Sequence, residues 1–126
     1  MHNKVLEAIA VCELEYYRFR RYGIVFSVVL VCFEEGVRPE GLVTSLQGYV
    51  RKVDRVEPNN DAGIVIVLGH CGWAESGQAL KHLRPLLDES GFRYHVGSAT
   101  VEAEDEGAKD VVLRATEEMG GPFCFN

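Results

Sequence analysis

Gly23–Glu35 reads GIVFSVVLVCFEE. From Ile24 to Phe33 the run is apolar or small throughout, and rich in Val and Phe. β-Branched and aromatic side chains suit a pleated surface, and the length suits a strand. Apolar and polar residues do not alternate, so both faces are expected to be covered, as in a central strand. The run is too short to span a bilayer, which takes ~20 apolar residues. It ends in the carboxylates Glu34 and Glu35, where the chain should return to water.

A chain of 126 residues is large enough for one domain with its own core. Its 47% hydrophobic and 25% charged residues are ordinary for a globular protein. A net charge of −6 argues against broad nucleic-acid binding and against an anionic membrane surface, while leaving room for one local anion site. Cys12, Cys32, Cys71 and Cys124 show no CxxC spacing and are expected as reduced, mostly buried thiols in a cytoplasmic protein. The opening MHNKVLEA lacks the apolar stretch and cleavage site of a secretory signal.

Upstream of the run, residues 3–22 carry Val5, Ile9, Cys12, Tyr16 and Phe19 on one 3.6-residue stripe. Leu6, Ala10, Leu14 and Tyr17 form a second stripe beside it. The wide apolar face predicts a helix docked on the domain or on a partner. Arg18, Arg20 and Arg21 suit the negative end of its dipole, and Gly23 suits its C-terminal stop.

Downstream, Leu42, Val43, Leu46, Tyr49, Val50 and Val53 predict a helix ending in Arg51-Lys52-Val53-Asp54-Arg55. Glu57-Pro58-Asn59-Asn60-Asp61 reads as a turn. Ala62–Leu68, AGIVIVL, reads as a second buried strand, closing a β-α-β unit with the first. Residues 73–90 form a helix that Pro85 should kink. Phe92–Val101 is a half-exposed strand. Glu102–Glu106 opens a last helix through Val111, Val112, Ala115 and Met119, and Phe123-Cys124-Phe125 reads as an edge strand. The order predicts an α/β (α+β) sandwich, ferredoxin-like or palm-type, with helices packed on a sheet.

Four stretches in order resemble the GGDEF, or diguanylate cyclase, domain. Arg21-Tyr22-Gly23 leading into FSVVLV is similar to the family's first helix and strand. AGIVIVL is similar to the strand that begins inside the GGDEF signature. His95-Val96-Gly97-Ser98-Ala99 is similar to its S-x-G-x-A strand, and VVLRATEEM to its last helix, with Arg114 and Ala115 in register. The resemblance covers nearly the whole of residues 1–126, read as a single degenerate GGDEF-like domain with residues 1–22 as its N-terminal helix. It implies a nucleotide-cyclase palm-type sheet.

The departures matter as much. The family's first strand ends D-x-D, and its first acid holds the catalytic metals; here stand Cys32-Phe33-Glu34. The signature position reads Asn60-Asp61-Ala62-Gly63-Ile64, without the paired glycines and adjacent acids. A one-residue shift would recover Asp61 as an acid but misplace Gly63. The stretch from Glu34 to Asn60 is shorter than the family's, where guanine-holding segments would lie. Divalent-metal phosphoryl transfer needs clustered carboxylates and phosphate donors. Glu34 and Asp61 cannot assemble them, so the resemblance implies lost cyclase activity, with no catalytic residue, no metal and no cofactor.

The family's inhibitory product site, RxxD, stands five residues before the signature. Arg51-Lys52-Val53-Asp54 stands five residues before Asn60. An Arg fork can pair with a guanine edge or a phosphate, and an Asp can accept from guanine N–H groups. Arg55 and Lys52 add local positive charge. The bland alternative is a solvated i, i+3 pair at a helix end. The resemblance thus implies a catalytically inactive regulatory module of bacterial signalling that binds cyclic di-GMP through Arg51, Asp54 and Arg55. The alternative is a dimerisation or interaction scaffold without a nucleotide ligand. In either case a protein partner or homodimer is expected, and neither nucleic acid nor membrane.

Other constellations have plainer readings. Cys71 precedes a helix start, where a thiol can become reactive, but no acid or second His is placed near it. A zinc site from His70, Cys71, His82 and Cys124 has no spacing to support it. Glu34-Glu35 reads as a solvated strand end in preference to a remnant metal site. Glu102, Glu104, Asp105 and Glu106 favour a helix N-terminus. Trp73 reads as a partly buried anchor or as an exposed contact.

Overall fold

The apolar run becomes a strand, β1 (Phe26–Phe33), buried along its whole length. The protein is represented by a computed structural model that describes residues 3–60 and 62–120, with side chains from Val5 onward. Val28, Leu30 and Cys32 of β1 pack on one face of the sheet, and Val29, Val31 and Phe33 on the other. The two covered faces account for a run without alternation.

Beside β1 lies β3 (Gly63–Gly69), antiparallel to it and equally buried. On the other side β4 (Tyr94–Thr100) pairs antiparallel with β1. A short strand, β2 (Arg55–Asn59), forms a hairpin with β3, giving the order β2-β3-β1-β4. The first face of the sheet is covered by α1 (Asn3–Tyr22) and α4 (Ala108–Glu118). The second is covered by α2 (Leu42–Tyr49) and α3 (Trp73–Glu89). The expected ferredoxin-like, palm-type α+β sandwich is the observed architecture.

Helix α1 has the expected bounds. Gly23 stops it at φ 71°, a conformation that costs glycine no steric clash, with its N–H on the Phe19 carbonyl at 2.8 Å. Val5, Ala8, Ile9 and Cys12 are buried, while Leu6, Leu14 and Tyr17 of the second stripe face solvent. Helix α3 continues through Pro85.

Several expectations need correction. The β-α-β unit is not β1-helix-β3, because those strands are antiparallel neighbours. The crossover from β1 through α2 ends on β2, which lies parallel to β1 with β3 inserted between them, the split arrangement of ferredoxin-like folds. Residues Glu57–Asn59, expected in a turn, belong to β2. Pro58 is tolerated because β2 is an edge strand. Helix α2 ends at Tyr49, earlier than the apolar spacing suggested, and leaves Tyr49 63% and Val53 50% exposed.

Glu102–Glu106 do not open α4, which begins at Ala108 after the extended Gly107. Asp105 is buried instead, and its carboxylate accepts Glu102 N–H at 2.7 Å and Arg114 Nη2 at 2.5 Å. Cys32, expected as a free thiol, is disulfide-bonded, whereas Cys12 and Cys71 are free and buried. Trp73 is 82% exposed and anchors nothing in the core. The expected edge strand at Phe123–Phe125, Cys124 with it, and Asp61 lie outside the described residues.

Candidate functional site

The Arg51–Asp54 turn is held by one carboxylate. Asp54 Oδ2 accepts the Arg51 backbone N–H at 2.9 Å and Arg51 Nε at 3.0 Å. Asp54 Oδ1 accepts Arg51 Nη2 at 2.9 Å and the Gly69 N–H at 3.0 Å. Arg51 Nη2 also donates to the Gly69 carbonyl at 2.7 Å. A short polar side chain that captures nearby N–H groups competes with helix continuation, and here it wins after Tyr49. The pair therefore ties the turn to both backbone groups at the end of β3.

Burial is uneven across the pair. The Asp54 side chain is 3% exposed and the Arg51 side chain 54%. The bond to Asp54 raises the Arg51 pKa further above its ordinary value, so the guanidinium stays charged. Gly69 is required by this packing, since a Cβ there would sit 2.6 Å from the Val53 carbonyl oxygen.

Two hollows share Arg51 and Asp54. One, of about 350 Å³, lies between the end of α2, β3 and α3, with Tyr49, Leu68, His82 and Leu83 among its lining residues. The other, of about 390 Å³, is lined by Gln47, Lys52, Arg55 and Glu57 with the same pair. Arg51, Asp54 and Arg55 are thus brought together around the second hollow. Arg55 is partly committed, giving Nη1 to the Val11 carbonyl at 3.3 Å and Nη2 to Glu57 at 3.0 Å. Tyr49, read only as part of a helix stripe, and His82, weighed only in a zinc site, both line the first hollow. Tyr49 stands two positions before the motif, but its apolar spacing pointed inward, and only the early end of α2 turns it out.

At the other end of the sheet, Asn60 at φ 81° folds its own turn, its Oδ1 accepting the N–H groups of Ala62 and Gly63 at 2.7 and 3.0 Å. Arg38 straps the loop after β1 onto this hairpin through the carbonyl of Asn60. Glu34 pairs with His95 at 3.3 Å. Among the described residues no three His, Cys, Asp or Glu side chains are grouped to hold a metal ion. Cys71 is buried, and burial pushes its thiol pKa up, the opposite of what a reactive thiol needs.

No protein-family model matches the chain, and no curated protein matches it by sequence. Solved structures do match it. A microbial GGDEF domain, described for its interaction with cyclic di-GMP, superposes with a TM-score of 0.72 at 18% identity over 90% of this chain and 80% of that one. The fold is that of GGDEF domains. A diguanylate cyclase protein from Thermotoga maritima matches at TM-score 0.66 and 11% identity over 92% of each chain. The GGDEF domain of DgcB from Caulobacter crescentus, in complex with cyclic di-GMP, matches at TM-score 0.62 and 11% identity over 93% of this chain and 78% of that one. In this GGDEF-like frame the Arg51–Asp54 turn opens the β2-β3 hairpin, and Asn60 sits at its tip.

Proposed function

We propose that this GGDEF-like domain is a catalytically silent module of bacterial signalling that binds cyclic di-GMP at Arg51. One observation carries the proposal: a charged, half-exposed guanidinium is fixed by Asp54 and Gly69 at the rim of a cleft holding Tyr49 and His82. A guanidinium already fixed loses little freedom on meeting a phosphate or a guanine edge. Tyr49 offers a ring face for stacking. Each Asp54 oxygen already accepts two hydrogen bonds, so Asp54 serves as a positioning residue more than as a ligand contact. Arg55 and Lys52 supply the second cationic wall.

Catalytic silence rests on the residues themselves. Cys32 occupies the position of the first metal-holding acid, and Asn60 that of the first signature glycine. A purified sample given GTP and magnesium should form no cyclic dinucleotide, and product formation would overturn this half of the proposal. A cytoplasmic site of action follows from the ligand class alone, because the disulfide at Cys32 removes the support that four reduced thiols would have lent. No helix among the described residues is long and apolar enough to cross a membrane.

A scaffold that binds no nucleotide is the second reading. It is favoured by the solvent-facing Leu6, Leu14 and Tyr17 of α1. Calorimetry with cyclic di-GMP separates the two: heat that is lost in Arg51→Ala supports sensing, and no heat leaves the scaffold.

A further inference from the structure

The hollow between α2, β3 and α3 has apolar walls, made by Val50, Leu68, Ala79 and Leu83. Its two permanent charges cancel: Arg51 Nη2 lies 2.9 Å from Asp54 Oδ1, and Arg51 Nε 3.0 Å from Asp54 Oδ2. The end of α2 adds the phenol of Tyr49, and β3 adds no charge. Among the described residues that line the hollow, His82 alone carries an imidazole, the side chain that changes charge between about pH 5 and 8. It reaches the hollow because Ala79, His82 and Leu83 stand at i, i+3 and i+4 on one side of α3. Its charged neighbours on that helix, Lys81 and Arg84, do not line the hollow, and Arg84 is bonded to Tyr94 instead.

We propose that His82 is the second cationic contact of this site, and that an anionic ligand binds there more tightly as the imidazole gains a proton. The proposal rests on the reading of Arg51 as a contact for cyclic di-GMP, and adds a regulation to that site. The phosphodiesters of that ligand stay negative across the whole range in which an imidazole titrates. The Arg51–Asp54 pair offers them donors in a fixed geometry but little net charge. With a neutral imidazole the ligand therefore meets no net positive charge from the lining. A protonated one supplies a full charge and a charge-assisted donor, beside apolar walls that screen it less than open water would. The linkage has one sign: bound phosphate favours imidazolium, so binding takes up a proton and weakens as pH rises. An Arg or Lys at this position would hold the affinity constant, whereas a His makes it follow pH. His70 lines a different hollow, with Arg18 and Lys52, and serves as the control.

Calorimetry with cyclic di-GMP at pH 6 and pH 8, on the full chain, tests it. Wild type should bind roughly five-fold more tightly at pH 6, as expected for one added charge-assisted contact. His82→Gln should lose that gain, and His82→Arg should bind tightly at both pH values. His70→Gln should respond as wild type does. Titrations at pH 7 in two buffers of different ionisation enthalpy should show a proton uptake in wild type that His82→Gln lacks. His82 is exposed, so the circular dichroism melts of its variants should match wild type. Equal affinity at the two pH values, a gain that survives in His82→Gln, or a gain that disappears in His70→Gln would each overturn the role of His82 and leave the Arg51 reading in place. No heat from folded wild type at either pH would overturn both.

Discussion

Asp54 and Gly69 hold each other at the end of β3: the Asp54 carboxylate accepts the Gly69 N–H at 3.0 Å, and Arg51, gripped by that carboxylate, returns a bond to the Gly69 carbonyl at 2.7 Å. The motif that looks like a ligand site is therefore also a structural clasp. The two roles divide between its residues by burial. Asp54 is enclosed, and Arg51 is half in solvent.

Substitution should separate them. Asp54→Ala leaves Gly69 N–H and the Arg51 backbone N–H without their acceptor and should destabilise by roughly 2–4 kcal/mol. Arg51→Ala leaves those backbone bonds intact and removes a partly exposed pair, costing about 1 kcal/mol or less. Urea unfolding of both variants checks the ranking, and equal losses would contradict it.

Gly97 of β4 lies directly beneath α4, where an added Cβ would overlap the Ala115 carbonyl oxygen. Gly97→Ala should push α4 off the sheet and cost roughly 2–4 kcal/mol. A thermal melt within a degree of wild type would show that α4 adapts without cost.

Arg114 joins α4 to the preceding loop through Asp105, whose own carbonyl accepts the Tyr16 hydroxyl at 2.6 Å. Arg114→Met leaves a buried carboxylate without its cation. It should destabilise by roughly 2–4 kcal/mol, and Asp105→Asn in the same chain should recover part of the loss. Loss of stability without any recovery in the double variant would place the effect elsewhere.

Burial in the α1 core pushes the Cys12 thiol from 9.0 up to about 12. A raised folded pKa means the unfolded chain gives up this proton first. The contribution to stability is whole below pH 9 and is lost as pH rises toward 12. Wild type should lose stability across that window more steeply than Cys12→Ala, as followed by urea midpoints at several pH values. Parallel curves would show that Cys12 is not the group responsible.

The core was legible because its signals are redundant. Val28 to Phe33 and Ile64 to Leu68 are apolar on both faces and could only be central strands. The edge was not. β2 carries Pro58 and Asn59 and runs into Asn60, which read as turn chemistry, and only pairing with β3 makes Arg55–Asn59 a strand. The end of α2 was misread because Val50 and Val53 keep the helical spacing while Asp54 redirects the backbone. Arg51 and Asp54 were legible as a motif, whereas their clasp on Gly69 and the outward turn of Tyr49 depend on tertiary contacts that spacing does not encode.

Cyclic di-GMP binding followed by calorimetry, on wild type and on Arg51→Ala, tests the central claim most directly. Wild type should give saturable heat, and the variant should bind roughly 10-fold more weakly or not at all, as expected for the loss of one charge-assisted fork. Absence of heat from folded wild type at high ligand concentration, or equal affinity in the two proteins, would contradict it.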